Sequence, residues 1–561
     1  MRNWLWFVAA LAGALVLAII GTTPQPPRSA DASPGEFSAA RAMVDVRAMA
    51  RAPHPTGTAE NARVRAYIAQ QMRAHGFTVT EQRAPLDDYS ARRLGNWTGK
   101  GESATQLVNV IGYKAGTDRS QPAVALMAHH DTVGGSPGAA DDTAGVAAIL
   151  ETARAIGAGP PLRRDVYLIM TDAEEAGLTG ARAFFSENPA ADRIGAIINL
   201  EARGGGGRTT LFQTSTANGE VIQRYAAAVK RPGGSSLATF VYEVLPNDTD
   251  LTPALERNYA AYNLSFIGRP GLYHSPKATP DALDQGALQD MGDQTLALTR
   301  QLATVDALPA PAADRTFFDF VGLFLIHYGT VTGWILLAIT AALHIVCLRA
   351  NPPGKWWRGL AAGAGVMLGG GALLYLANAL SGGGSASSDY YDRLTAIPLL
   401  EAQALLLCVA ALAATLPLWA GRGGSILGLV IALAMQVAAP TTAFLVVWPL
   451  LLAGIIGVSK RYLPGPGGNV LRAVLAAAAL GMLLQFAHQF MQGIGADLPS
   501  VVALLAALAI PVLGPLTPQV APRRAFTVAG LCLLAGVAIA LWVRFDPVAD
   551  TVPVYASDKP G

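Results

Sequence analysis

The chain has 561 residues, more than one hydrophobic core organises, so at least two structural units are expected. Hydrophobic residues make up 52% and charged residues only 14%, with a mean hydropathy of +0.35, unusual for a protein wholly exposed to water. The formal net charge of +2, with no basic stripe carrying interleaved aromatics, argues against a nucleic-acid binder.

Residues 4–21, WLWFVAALAGALVLAIIG, form an apolar run long enough to span a bilayer. Arg2 supplies the minimal positive region of a cleaved signal peptide, but the run is long for that role and no Ala-x-Ala site follows it directly. An uncleaved signal anchor over residues 1–30 is expected, with an exported segment after it.

From 36 to 305 the pattern is α/β. Helical stretches Glu60–His75 and Ala144–Ile156 alternate with short apolar runs at Val108–Tyr113, Ala123–Ala128, Val166–Thr171 and Ala196–Leu200. Several runs are continuously apolar, as central strands covered on both faces require. A Pro- and Ala-rich linker is expected within 306–316.

Residues 317–545 read as an all-α membrane domain with eight candidate spans: 318–346, 359–380, 395–419, 425–438, 441–458, 471–490, 499–516 and 525–543. The fourth and fifth can be one long helix or a hairpin broken at Ala439-Pro440. Loop charge favours the hairpin: Arg349, Lys355 and Arg358, then Arg422, then Lys460, Arg461 and Arg472, then Arg523 and Arg524 mark alternate loops. Asp389, Asp392 and Asp497 occupy the loops between. With the anchor this predicts about nine transmembrane helices, N-terminus inside, the α/β domain and the tail 546–561 outside. Among the polar groups in the spans, His327, His344, Glu401, Gln485, His488 and Gln489 mark either an ion or substrate path or, as the favoured reading, interfacial and cross-helix bonds. There is no inverted repeat of the transporter kind.

Cys347, Cys408 and Cys532 all lie in these apolar segments and have neither zinc-thiolate nor disulfide-framework spacing. Any metal held by the polar half must therefore use His, Asp and Glu. Candidates fall at successive strand ends. His129 and Asp131, two apart, point to the same side of an extended chain. One can ligate zinc while the other orients its ring. Asp141 follows the turn Ser136-Pro137-Gly138 and opens a helical run, where a carboxylate can bridge two metal ions and the helix dipole favours its charge. Glu174 and Glu175 diverge at the turn after VYLIMT, Glu201 ends AIINL, and Tyr273-His274 follows the apolar run Leu264–Ile267. A lone His274 would more often be a loop or core histidine, and a lone Glu pair a solvated helix start. In this order, at four strand ends, two histidines and three carboxylates can make two zinc sites sharing Asp141.

The residues resemble the aminopeptidase Y family of di-zinc exopeptidases: His-x-Asp, Gly-Ala-x-Asp-Asp, Glu-Glu-x-Gly, Asn-Leu-Glu and Tyr-His, preceded by an entry motif at His54–Asn61. The resemblance covers about 45–305. An exported domain with a multispanning tail, and the Asp-Thr-Asp core of Pro246–Asp250, are similar to the endoplasmic reticulum metallopeptidase and vacuolar membrane protease branch. It implies an α/β exopeptidase domain with a mixed central sheet flanked by helices. It implies one zinc on His129, Asp141 and Glu201, and a second on Asp141, Glu175 and His274. Asp131 would orient His129, Glu174 would be the general base, and Tyr273 is similar in position to an oxyanion-holding tyrosine of some relatives. A cis peptide at Asp141–Asp142 is also implied. His130, Thr132 and Glu201 depart from common family residues without removing a ligand.

The expected function is a membrane-anchored zinc aminopeptidase acting on peptides with a free N-terminus. A single-zinc glutaminyl cyclase-like enzyme and a non-catalytic receptor or transport-associated protein are the alternatives. A bacterial inner membrane with a periplasmic domain is expected; a vacuolar or endoplasmic reticulum membrane has the same topology. Substrate preference and oligomeric state are not readable.

Overall fold

The computed structural model describes residues 2–98, 105–245, 247–349, 356–384, 390–419 and 424–546. Pro246, Lys355, Asp389, Arg422 and the tail beyond Asp546 lie outside these described residues. The chain divides into two compact units, one over Pro24–Asp319 and one formed by Met1–Thr23 with Phe320–Thr551.

The first unit is built on a seven-stranded sheet: β1 (Thr78–Pro85), β2 (Gln106–Lys114), β3 (Ala123–His129), β4 (Val166–Thr171), β5 (Ile194–Ala202), β6 (Thr210–Thr214) and β7 (Ala260–Phe266). Their order is β1-β2-β4-β3-β5-β7-β6. The inner strands β4, β3, β5 and β7 run parallel, whereas β1, β2 and β6 pair antiparallel. The apolar runs become the centre because β3, AVALMAH, is buried at every position and so needs cover on both faces. On one face Ile111, Ala125, Met127, Ile169, Ile197 and Ala261 pack with Phe184 and Phe185 of helix Thr179–Glu187. The helices Thr143–Gly157 and Gln285–Thr304 also pack against β3, and the small side chains of AGVAA admit close approach.

Parallel register carries the site. His129 pairs with Thr171 and Glu201 with Ser265, so the C-terminal ends of β3, β4, β5 and β7 finish together. Open sheets of this kind bind ligands beyond those ends.

The segment 306–316 is bonded to its neighbours: Ala310 N–H donates to Glu220, Ala312 N–H to Ala217 O, and Arg164 to Asp306 O. One expectation is corrected. The first span starts at Thr330 rather than 318, because Arg315–Phe320 and Phe324–Gly329 are strands. Aromatic and β-branched residues favour that conformation, and the left-handed pair Val321-Gly322 interrupts any helix. His327 thereby lies in a strand rather than a span.

Among the described residues, the second unit has seven helices long and apolar enough to cross a membrane: Trp4–Thr22, Thr330–Arg349, Trp356–Leu380, Ile397–Leu418, Phe444–Tyr462, Pro466–Ile494 and Pro522–Phe545. Gly424–Ala438 and Pro499–Leu513 are shorter apolar helices at the other two expected positions. The chain breaks into separate helices after Ala438, with Thr442 N–H donating to Ala439 O in the turn. Polar side chains bond across helices: His344 Nε2 lies 2.9 Å from Leu450 O, and Glu401 meets His488 Nδ1 at 2.6 Å and Gln492 Nε2 at 3.0 Å.

Candidate metal centre

Each strand end delivers its side chain through a distinct local device. At the end of β3, His129 points into the site while the next residue turns away. The His130 ring lies 3.0 Å from Val108 O through Nε2 and 3.4 Å from Asn61 through Nδ1. His129 Nδ1 sits 3.0 Å from the Asp131 carbonyl and 3.6 Å from its carboxylate, which leaves Nε2 facing the acids. The turn before Asp141 needs glycine at Gly138, where φ is +62° and a Cβ would meet Thr132 Cγ2 at 2.4 Å. The Asp141–Asp142 peptide is cis. Asp142 then caps the following helix through Gly145 N–H.

After β4 the chain turns through Ala173 in the left-handed region, and Glu174 and Glu175 open a short helix. Their N–H groups donate to the two oxygens of the Asp131 carboxylate. His274, also left-handed, follows β7, and the Tyr273 ring stacks on it with centroids 3.7 Å apart.

These residues meet. His129 Nε2 is 3.1 Å from Asp141 Oδ1 and 3.9 Å from both Glu174 Oε2 and Glu201 Oε2. His274 Nε2 is 3.1 Å from Glu175 Oε2 and 3.4 Å from Asp141 Oδ2. Among the described residues, three sets of donor atoms each fall within 4.8 Å: His129–Asp141–Glu201, Asp141–Glu175–His274 and His129–Glu174–Glu175.

Residues 109–299 match the family model for peptidase family M28. The chain carries a peptidase family M28 domain. It is 34% identical over 340 residues to rat (Rattus norvegicus) endoplasmic reticulum metallopeptidase 1, covering 56% of this chain and 37% of that protein. It is 28% identical over 305 residues to the vacuolar membrane protease of Candida glabrata, covering 52% of this chain and 32% of that protein. The matches thus span about a third of each relative's own length. Among solved structures it is similar to an aminopeptidase from Aneurinibacillus sp. strain AM-1, 17% identical, TM-score 0.40, covering 50% of this chain and 98% of that one.

The electrostatics of the M28 domain express crowding. Burial, then nearby charges including neighbouring carboxylates, pushes the Glu174 and Glu201 carboxyls well above the usual range. Burial also acts to raise Asp141, but its contacts with His129 and His274 outweigh it and hold it at about 2. Five nitrogen and oxygen donors, with no thiolate among them, form a set that suits zinc. A cation there would relieve the packed carboxylates.

Supporting residues extend beyond those read from the sequence. Buried Asp172 accepts Val108 N–H at 2.9 Å and the Thr56 hydroxyl at 2.7 Å, which fastens the His54–Asn61 segment to the end of β4. Thr132 Oγ1 accepts His54 N–H at 2.9 Å. Under Glu201, Asn199 donates to Asn263 at 2.9 Å, and Asn263 donates to Gln213 at 2.8 Å and Thr249 at 2.9 Å. Amides interrupting the apolar runs of β5 and β7 were the available signal. Asp250 accepts the Thr171 hydroxyl, and burial pushes its carboxyl up to about 7.

Proposed function

We propose that the chain is a membrane-anchored metallopeptidase that releases N-terminal residues from peptides at a two-zinc centre. The split of the Asp141 carboxylate carries the reading, with Oδ1 3.1 Å from His129 and Oδ2 3.4 Å from His274. In this reading His129, Asp141 and Glu201 hold one zinc, and Asp141, Glu175 and His274 hold the other. Each three-donor set leaves a position for water or substrate, as in catalytic zinc sites. Zinc bound there lowers the pKa of water and polarises the scissile carbonyl.

The remaining work belongs to the chain's own groups. Glu174, outside both of those sets yet 3.9 Å from His129, accepts the proton of the attacking water and passes it to the departing amine. Asp131 holds the turn that presents Glu174 and Glu175. Tyr273, stacked on His274, keeps that imidazole facing Asp141 and Glu175. The surplus of carboxylates favours a substrate with a free ammonium end.

Loop charge supports placing this domain on the exoplasmic side, as in a bacterial inner membrane with a periplasmic domain, since Arg349, Arg358, Lys460, Arg461, Arg523 and Arg524 mark the inner loops.

The test is metal content and product chemistry on the full purified chain. Two zinc ions per chain, with hydrolysis of unblocked but not N-acetylated aminoacyl anilides, are expected. One zinc with pyroglutamate formation from N-terminal glutamine overturns the reading in favour of a cyclase.

A further inference from the structure

Residues 203–207, RGGGG, leave β5 just after Glu201 and are laced to the turn after β7. Arg203 N–H donates to Phe266 O at 3.0 Å, and Gly205 and Gly206 N–H both donate to Gly268 O, at 2.9 Å and 3.0 Å. Gly268 N–H donates back to Gly206 O at 2.8 Å. So close an approach needs glycine. At Gly204, where φ is +141°, a Cβ would meet Gly268 O at 2.3 Å, and at Gly205 it would meet Leu272 Cδ1 at 2.2 Å. These bonds hold Arg203 against the turn that delivers Tyr273 and His274.

Arg203 stands two residues beyond Glu201, and pairing with β7 continues through its N–H. Strand alternation therefore sends the two side chains to the same side of the sheet. The guanidinium carbon lies 6.0 Å from the centre of the Tyr273 ring, within the range at which a ring face attracts a cation. That ring stacks on His274 with centroids 3.7 Å apart, so the two separations put the guanidinium carbon at most 9.7 Å from the centre of the imidazole. The imidazole itself is 3.1 Å from Glu175 and 3.4 Å from Asp141. A partly exposed guanidinium thus stands at the edge of the cluster of carboxylates and imidazoles.

We propose that Arg203 binds the C-terminal carboxylate of the substrate, which makes di- and tripeptides the substrate class of this site. The role rests on the peptidase reading above and deepens it. A guanidinium meets a carboxylate with two parallel N–H donors, a fork that lysine lacks. Reach sets the length, because an extended peptide advances about 3.5 Å per residue. With the scissile carbonyl beside His274, a carboxylate one or two residues further on comes within reach of the guanidinium, whereas that of a longer peptide passes it. The ammonium end then faces the carboxylates and the other end faces Arg203, which fixes the direction of a short peptide.

The experiment uses the full chain and compares Leu-Gly, Leu-Gly amide and Leu-Asp amide. The wild type should favour Leu-Gly over its amide in kcat/KM by about 10–100-fold, the worth of a hydrogen bond between charged groups. Arg203→Gln should lose most of that preference. The ratio cancels any loss from a disturbed Tyr273–His274 stack, which falls on both substrates alike. Arg203→Lys, with the charge but not the fork, should keep part of the preference. Calorimetry on chains that also carry Glu174→Gln should show the same ratios in affinity without turnover. Wild-type preference in Arg203→Gln, or anilide cleavage by a wild type with no preference for Leu-Gly, overturns the assignment of Arg203. A preference for Leu-Asp amide in place of Leu-Gly overturns it in favour of an acidic side chain. A wild-type chain that cleaves neither these peptides nor a leucyl anilide overturns the peptidase reading, and this role with it.

Discussion

Asp131 Oδ1 accepts the backbone N–H of Glu174 at 3.1 Å, which ties the end of β3 to the turn after β4. The other oxygen accepts Glu175 N–H at 3.3 Å, so one buried carboxylate sets the position of two neighbouring glutamates. His129 meets the backbone of Asp131 more closely than its side chain, 3.0 Å against 3.6 Å. The carboxylate therefore serves the β4 turn as well as lying beside the histidine it is expected to orient.

Asp131→Asn offers one acceptor oxygen in place of two and releases one of the glutamates. Zinc affinity or kcat should fall about 10–100-fold, as for other groups that position ligands. Competition with a chelator of known affinity checks the first and steady-state kinetics the second. Wild-type values for both would remove this role.

Glu174→Gln keeps shape and hydrogen-bonding capacity but cannot take a proton. Bound zinc should stay at the wild-type level while kcat drops at least about 10²–10⁴-fold. Elemental analysis paired with anilide hydrolysis reads both. Substantial residual turnover in a preparation free of contaminating peptidase would reassign the base.

Removing metal should loosen the Pro24–Asp319 unit, because Glu174 and Glu201 are then left buried together. A ligand at about a thousand times its Kd adds about 4 kcal/mol to stability. Thermal unfolding with and without chelator should show a downward shift of several degrees, reversed by zinc. Asp141→Asn should show little of this difference, since it removes the carboxylate common to both proposed sets.

A pH effect is expected away from the centre. Asp45 accepts the Tyr67 hydroxyl at 2.7 Å, and burial pushes its carboxyl up to about 6. An unfolded aspartate titrates near 3.9, so the folded state binds the proton more tightly. The contribution is full below about pH 4 and is lost as pH rises through about 6. Asp45→Asn should keep the Tyr67 contact and stabilise the protein at pH 7 by about 1–2 kcal/mol, less than the full shift because the side chain is partly exposed. Denaturant midpoints at pH 4 and pH 7 check it; equal effects at both would refute the assignment.

The inner strands were legible because their burial on both faces forces continuous apolar runs such as AVALMA. The gathering of His129, Asp141, Glu174, Glu175, Glu201 and His274 was legible because each ends or follows such a run. Edge strand β1 was not: TVTEQRAP is mostly exposed and is held by main-chain pairing to β2, which leaves no pattern in side chains. The strands at Arg315–Phe320 and Phe324–Gly329 were hidden because their aromatic content reads equally as the start of a membrane span.

Chain order has a consequence for biogenesis. His274 stands after β7, which must itself pair beside β5 before that turn is in place. A nascent chain that has emerged only as far as Glu201 already carries His129, Asp141 and Glu175, but one side of Asp141 still has no imidazole. In the proposed assignment the second zinc set closes only when nearly all of the first unit has been made. Catalytic competence and completion of the domain then coincide, and an unfinished chain is a poor threat to its neighbours.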